Sequence, residues 1–206
     1  FRKLRRARLD MSDKQTLLVG ANNSGKTSAM KALRKFLKDR GGIDTRDVTA
    51  SNWTAIEQIA GAWTQEADAD LNPILAQLPF LDVWLHADKP EFHHVAHLIP
   101  TLTWTGGLLG VRLRLEPKKG ADIKAQYLAA REAAQTLQPG GATAKGFALW
   151  PRDFREFLDK RLMDLFELNA HLLDPMSFTT IGPVEPHPLP PLSEGIGSNP
   201  FAGLIH

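Results

Sequence analysis

The spacing of apolar positions changes several times along the chain, and each change predicts an element. Residues 15–19, Gln-Thr-Leu-Leu-Val, form a short apolar run halted by Gly20, the pattern of a buried parallel strand ending at a turn. From Lys26 to about Asp39 the apolar residues Ala29, Met30, Leu33, Phe36 and Leu37 recur at helical spacing, with Lys31, Arg34, Lys35 and Lys38 on the other face and Gly41 and Gly42 as the stop. A second helix is predicted over 53–63 from the stripe Trp53, Ile56, Ile59, Ala60 and Trp63. Residues 80–86 and 108–115 read as strands, the second alternating apolar residues with Arg112 and Arg114, and the two are expected to pair antiparallel. Between them, 91–99 forms a short helix ended by Pro100, and Gly106 and Gly107 mark a turn. A helix over 121–137 buries Ile123, Tyr127, Ala130, Ala134 and Leu137 and ends at Pro139, Gly140 and Gly141. A longer one starts near Pro151 and carries Phe154, Phe157, Leu158, Leu162, Leu165 and Phe166 on one side. After Leu173 the prolines at 175, 183, 186, 188, 190 and 191 describe an extended surface segment. No internal repeat is present.

With 206 residues, 43% of them apolar, the chain can fill one sizeable domain, or one domain with an insertion. No run approaches the roughly 18 to 20 apolar residues that span a bilayer, and no stretch has the order of a signal peptide, so a soluble cytoplasmic protein is expected. The absence of cysteine excludes disulfides, thiolate metal sites and cysteine nucleophiles. A net charge of +2 decides little, but Arg2, Lys3, Arg5, Arg6 and Arg8 crowd the first eight residues. Such a stripe suits a phosphate backbone, or simply a solvated strand edge. A start at Phe1 and an end at Leu204, Ile205 and His206 lead us to expect a piece of something longer.

The strongest chemical signal lies between the first predicted strand and helix. The segment GANNSGKT from Gly20 to Thr27 matches G-x-x-x-x-G-K-[ST] in full. A triphosphate needs a concave array of donors and a compensating charge that does not crowd it. Gly20 and Gly25 permit the close turn, successive backbone N–H groups then point inward, and the new helix adds its unpaired N–H groups and positive dipole end. Lys26 is expected to reach the β- and γ-phosphates, and the Thr27 hydroxyl to bind the magnesium that bridges their oxygens. The candidate nucleotide-binding set is Gly20, Asn22, Asn23, Ser24, Gly25, Lys26, Thr27 and Ser28, with Lys26 as the catalytic group and Thr27 as the metal ligand, for ATP with Mg2+. Asn23 and Ser24 either add side-chain hydrogen bonds or only shape the loop.

Other constellations are weaker. His93 and His97 would share one helical face, joined by His94, but no HExxH pattern or third ligand accompanies them. Asp68 and Asp70 imitate a D-x-D metal site without the apolar strand such a site requires. There is no G-x-S-x-G elbow and no N-K-x-D, and the D-x-x-G from Asp39 to Gly42 lies too near the phosphate loop to act as a switch. Tryptophans 53, 63, 84, 104 and 150 are expected to pack the core.

The stretch FRKLRRARLDMSDKQTLLVGANNSGKTSAM, Phe1 to Met30, resembles the opening of ABC-type ATPases of the RecF, SMC and OLD kind. The Phe1-Arg2 pair resembles the opening shared by these families, and the double asparagine, Asn22 and Asn23, is most similar to the OLD family, in which such a head is coupled to a Toprim nuclease, with several members active in defence against phage. The resemblance implies an α/β P-loop NTPase fold with a mixed sheet: residues 1–173 as the N-terminal part of the head, a helical and strand insertion over about 50–150, and 174–206 leading to a catalytic half. It also implies DNA as a partner, homo-oligomerisation through the heads, and Arg2 as a candidate adenine contact. An apolar stretch followed by Asp-Glu is absent from the 206 residues, and Leu192 to Gly195, LSEG, only faintly resembles the family signature. The chain is therefore expected to bind ATP but to hydrolyse it poorly. A DNA-clamping ATPase without a nuclease and a small P-loop kinase are the alternatives.

Overall fold

The computed structural model describes residues 1–12, 14–39, 42–63, 70–99, 101, 103–136, 150–175, 178, 188–191 and 200–201. In chain order the elements are α1 (Lys26–Leu33), continued by a π-helical turn (Arg34–Lys38), α2 (Ala50–Gly61), α3 (Asn72–Leu75), β1 (Phe80–Ala87), α4 (Phe92–Val95), β2 (Gly107–Pro117), α5 (Ile123–Thr136), α6 (Phe154–Leu165), β3 (Phe166–Leu173) and β4 (Pro188–Pro191). They fall into two compact units. The first comprises Phe1–Lys3, Ile43–Pro79 and Leu115–Glu167; the second comprises Leu4–Gly42, Phe80–Arg114 and Leu168–His206.

In the first unit the helical stripes of the sequence meet. Trp53, Ile56 and Ala60 of α2, Ile123 and Tyr127 of α5, and Phe154, Phe157, Leu158, Leu162 and Leu165 of α6 are buried. Their rings interlock edge to face, Trp63 against Phe154 at 5.3 Å and Tyr127 against Phe154 at 5.0 Å. Both ends of α6 are satisfied from far along the chain. At its start the Asp153 side chain accepts from Glu156 N, and the carboxylate of Glu57 accepts from Phe154 N at 3.1 Å and Arg155 N at 2.8 Å. At its end Lys118 donates from Nζ to the Met163 carbonyl (2.6 Å) and from its backbone N–H to the Leu165 carbonyl (2.8 Å). Glu57→Gln keeps the shape but removes the charge facing two helix N–H groups, so a loss of about 1 kcal/mol in a urea titration is expected.

Burial pushes the phenol of Tyr127 above the ordinary value of 10.0, an effect only partly offset by Arg131, whose guanidinium lies 5.7 Å from the ring centroid. The folded state therefore holds this proton more tightly than the unfolded chain. That contribution to stability is complete below about pH 10 and is lost as pH rises through the folded value. Tyr127 is the single tyrosine, so its ultraviolet absorbance on alkaline titration should show one midpoint above 10, falling toward the ordinary value in urea.

The sheet has the order β1-β2-β3-β4. β1 and β2 pair antiparallel from Phe80↔Arg114 to Ala87↔Gly107, as the alternation predicts, and β2 buries Leu109, Val111, Leu113 and Leu115. On its other face Arg112 stands directly across from Asp82 and donates two hydrogen bonds to it, at 2.7 and 2.8 Å, while lying over the Phe80 ring.

Two expectations need correction. Residues 15–19 form no strand; Leu17 and Val19 are 77% and 83% exposed. A strand exists only through its ladder partners, and among the described residues no strand pairs with this run. Within the sheet, β1 with β2 and β3 with β4 pair antiparallel. Finally, the helix from Pro151 does not include Phe166. The chain passes from α6 into β3 at Phe166 with extended angles (φ −117°, ψ 156°), so a strand occupies 166–173. The proline-rich stretch keeps its extended character at Pro188–Pro191, where β4 pairs with β3. The expected breaker at 139–141, Asp68 and the segment 192–195 lie outside the described residues.

Candidate functional site

The phosphate-loop motif lies wholly in the second unit. Its loop closes through a turn in which Ser24 N donates to the Ala21 carbonyl at 3.3 Å, with Asn23 in the left-handed region at φ 69°. Gly25, at φ 96°, is the N-cap of α1, and no side chain caps the helix. The first-turn N–H groups of α1 are thus left to face whatever the loop binds. A Cβ at Gly20 would lie 3.0 Å from Ser24 Oγ and 3.9 Å from Lys26 Nζ, close enough to press on the Ser24 hydroxyl. At Gly25 a Cβ would fall 2.8 Å from Leu4 Cδ2, in addition to the strain of the left-handed angle.

Lys26, the first residue of α1, folds its ammonium back over the loop. Nζ donates to the Gly20 carbonyl, to the Ala21 carbonyl at 2.7 Å and to Ser24 Oγ at 3.3 Å. The loop therefore presents a cation bracketed by its own carbonyls, beside the positive end of a helix. Asn22, Asn23, Ser24 and Thr27 are exposed, and Ser28 is half-buried on the first turn. Thr27 offers a single hydroxyl. One protein oxygen completed by phosphate oxygens and water is the donor set that suits Mg2+, which dehydrates reluctantly. The solvent-open loop thus holds an ammonium, the uncapped start of α1 and the exposed Thr27 hydroxyl.

Residues 1–86 match the family model of the AAA ATPase domain. The match supports a P-loop ATPase family and, with it, ATP binding. It covers the phosphate loop and α1 and extends to His86 in β1. No curated protein and no solved structure matches the chain.

The remaining sequence candidates make contacts of their own. Arg2 donates from Nε to Asp47 at 2.8 Å and belongs to the first unit, so the side chain expected near adenine is held by a buried carboxylate. His97 contacts the Pro200 carbonyl through Nε2 at 2.7 Å, while His93 and His94 place their rings 3.8 Å apart. Among the described residues no group of three or more metal-ligating side chains forms. Trp53 is buried, and Trp63 and Trp150 pack against core rings of the first unit. No helix among the described residues is long and apolar enough to cross a membrane. Leu4, absent from the sequence candidates, proves to lie against the loop; one apolar residue between basic ones was its only signal.

Proposed function

We propose that this chain binds ATP with Mg2+ at the Gly20–Thr27 loop, as the nucleotide-binding part of an ABC-type, OLD-like ATPase. The observation that carries the reading is the loop itself, uncapped α1 behind it and Lys26 Nζ held over the Gly20 and Ala21 carbonyls. Backbone N–H groups from Asn22 to Lys26 cradle the phosphates, Lys26 neutralises the terminal ones, and Thr27 holds the metal. Asn23 keeps the left-handed turn that points these groups inward. In the intact protein, two such heads would close on ATP, and the cycle would govern an operation on DNA, nucleolytic in the OLD-like case. The support for that last step is the sequence resemblance of Phe1 to Met30 alone. Residues 1–173 would then be the front of the head.

Calorimetric titration of the chain with ATP and Mg2+, with phosphate release followed in parallel, tests the proposal. Saturable binding with slow release is expected. Absence of binding overturns the proposal, and rapid release by this chain alone would replace it with a self-sufficient P-loop enzyme.

A further inference from the structure

The basic arm at the start of the chain is not a uniform stripe. Arg2 is neutralised by Asp47 at 2.8 Å, and Arg8 by Asp10 at 2.7 Å while also lying over the Phe178 ring. Arg5 and Arg6 are exposed and have no acidic partner among the described residues. The residue just before them, Leu4, is the one whose Cδ2 stands 2.8 Å from the point where a Gly25 side chain would begin. Gly25 is both the N-cap of α1 and the neighbour of Lys26. Two uncompensated guanidinium groups are thus tethered, through a packed leucine, to the residue that opens the phosphate site. Leu4, Arg5, Arg6, Gly25 and Lys26 lie within one unit.

Resting on the ATP-binding reading above, we infer that Arg5 and Arg6 supply additional cationic groups for the phosphates of the bound nucleotide, with Leu4 as the positioning residue that seats the arm against Gly25. Guanidinium groups suit the task, because their forked donors match phosphate oxygens and they stay charged at any working pH. Lys26 alone gives one positive charge to a ligand that carries several negative ones, and Mg2+ offsets only part of the rest. Cationic groups brought to such a site lower the cost of bringing a polyanion to it. Because they work in solvent, their contribution is screened by salt. The absence of a side chain at Gly25 then has two uses: it permits the left-handed cap, and it leaves the space that Leu4 enters.

The test titrates ATP with Mg2+ into the full chain, its Lys26→Ala form, the double substitution Arg5→Gln/Arg6→Gln and the charge-retaining Arg5→Lys/Arg6→Lys, each at low and high salt. The expected result is a loss of about tenfold in the glutamine variant at low salt, shrinking at high salt, with most of the affinity kept by the lysine variant. Leu4→Gly, which keeps both charges but frees the arm, should fall between wild type and the glutamine variant. Unchanged affinity in the glutamine variant while Lys26→Ala loses binding would overturn the inference and leave the ATP site standing. Failure of the wild-type chain to bind would overturn both. If the glutamine variant binds ATP normally but loses retention of duplex DNA, the arginines serve nucleic acid and the inference is wrong.

Discussion

Lys26→Ala is expected to weaken ATP·Mg2+ binding by about 100-fold or more while leaving the unfolding midpoint where it is. On the proposed reading Nζ would donate two charge-assisted hydrogen bonds to phosphate oxygens, each worth about 1.5 to 3 kcal/mol, and their loss accounts for a factor of that size. Nothing comparable is lost from the fold. The partners that Nζ leaves behind, the carbonyls of Gly20 and Ala21 and the hydroxyl of Ser24, belong to exposed residues and turn to water. Lys26→Arg should fare little better, because a planar fork cannot fill a cradle shaped for a compact ammonium. Calorimetry and a melting curve on the same samples separate the two effects. A drop in melting temperature large enough to explain the lost affinity would assign the side chain to the fold rather than to the ligand.

Asp47→Ala should do the reverse, destabilising the first unit by about 3 kcal/mol, the scale on which a buried ion pair loses one member. The carboxylate is fully buried and accepts from Arg2 Nε at 2.8 Å and from the Asp44 backbone N–H at 3.0 Å, while the Asp44 side chain caps the same short turn in return. Alanine leaves the Asp44 N–H without its acceptor and the half-buried Arg2 guanidinium without its counter-charge. Asp47→Asn, which retains an oxygen for Asp44, should cost less. Urea unfolding followed by tryptophan fluorescence reads the difference, since Trp53, Trp63 and Trp150 lie in this unit. Equal stability of wild type and alanine variant would show that the pair adds nothing beyond its own desolvation.

Local patterns were legible in the sequence where a local pattern decides the structure. The stripe Trp53, Ile56 and Ala60 is the buried side of α2, the alternation through Val111, Leu113 and Leu115 is the inner face of β2, and the Gly25-Lys26 step is the start of α1. The errors fall where a distant partner decides. Residues 15–19 have strand composition, but a strand also needs neighbours to accept its hydrogen bonds, and composition does not contain them. Phe166 continues the helical stripe of α6 by spacing, yet Lys118 takes the carbonyls of Met163 and Leu165 and the chain turns extended there. No glycine or proline announces that change. In the phosphate site, residue types and order came from the motif, whereas the contact of Leu4 with Gly25 depends on how the arm is laid down. The commitment of Arg2 to Asp47 was invisible for the same reason: 45 positions separate the partners.

The satisfaction of α6 from both ends has a consequence for the order in which the protein is made. Its N-terminal N–H groups await a carboxylate 97 and 98 positions upstream, Thr45 reaches Asp159 across 114, and Lys118 lies 45 before the carbonyl it binds. During synthesis, therefore, α2 leaves the ribosome long before the helix it packs on, and the first unit remains an incomplete collection of amphipathic pieces until Glu167 has emerged. Closing such long loops is slow compared with forming a helix. The polypeptide should accordingly depend on chaperone shelter, and on unhurried translation through residues 150–167, more than its helical content alone would suggest.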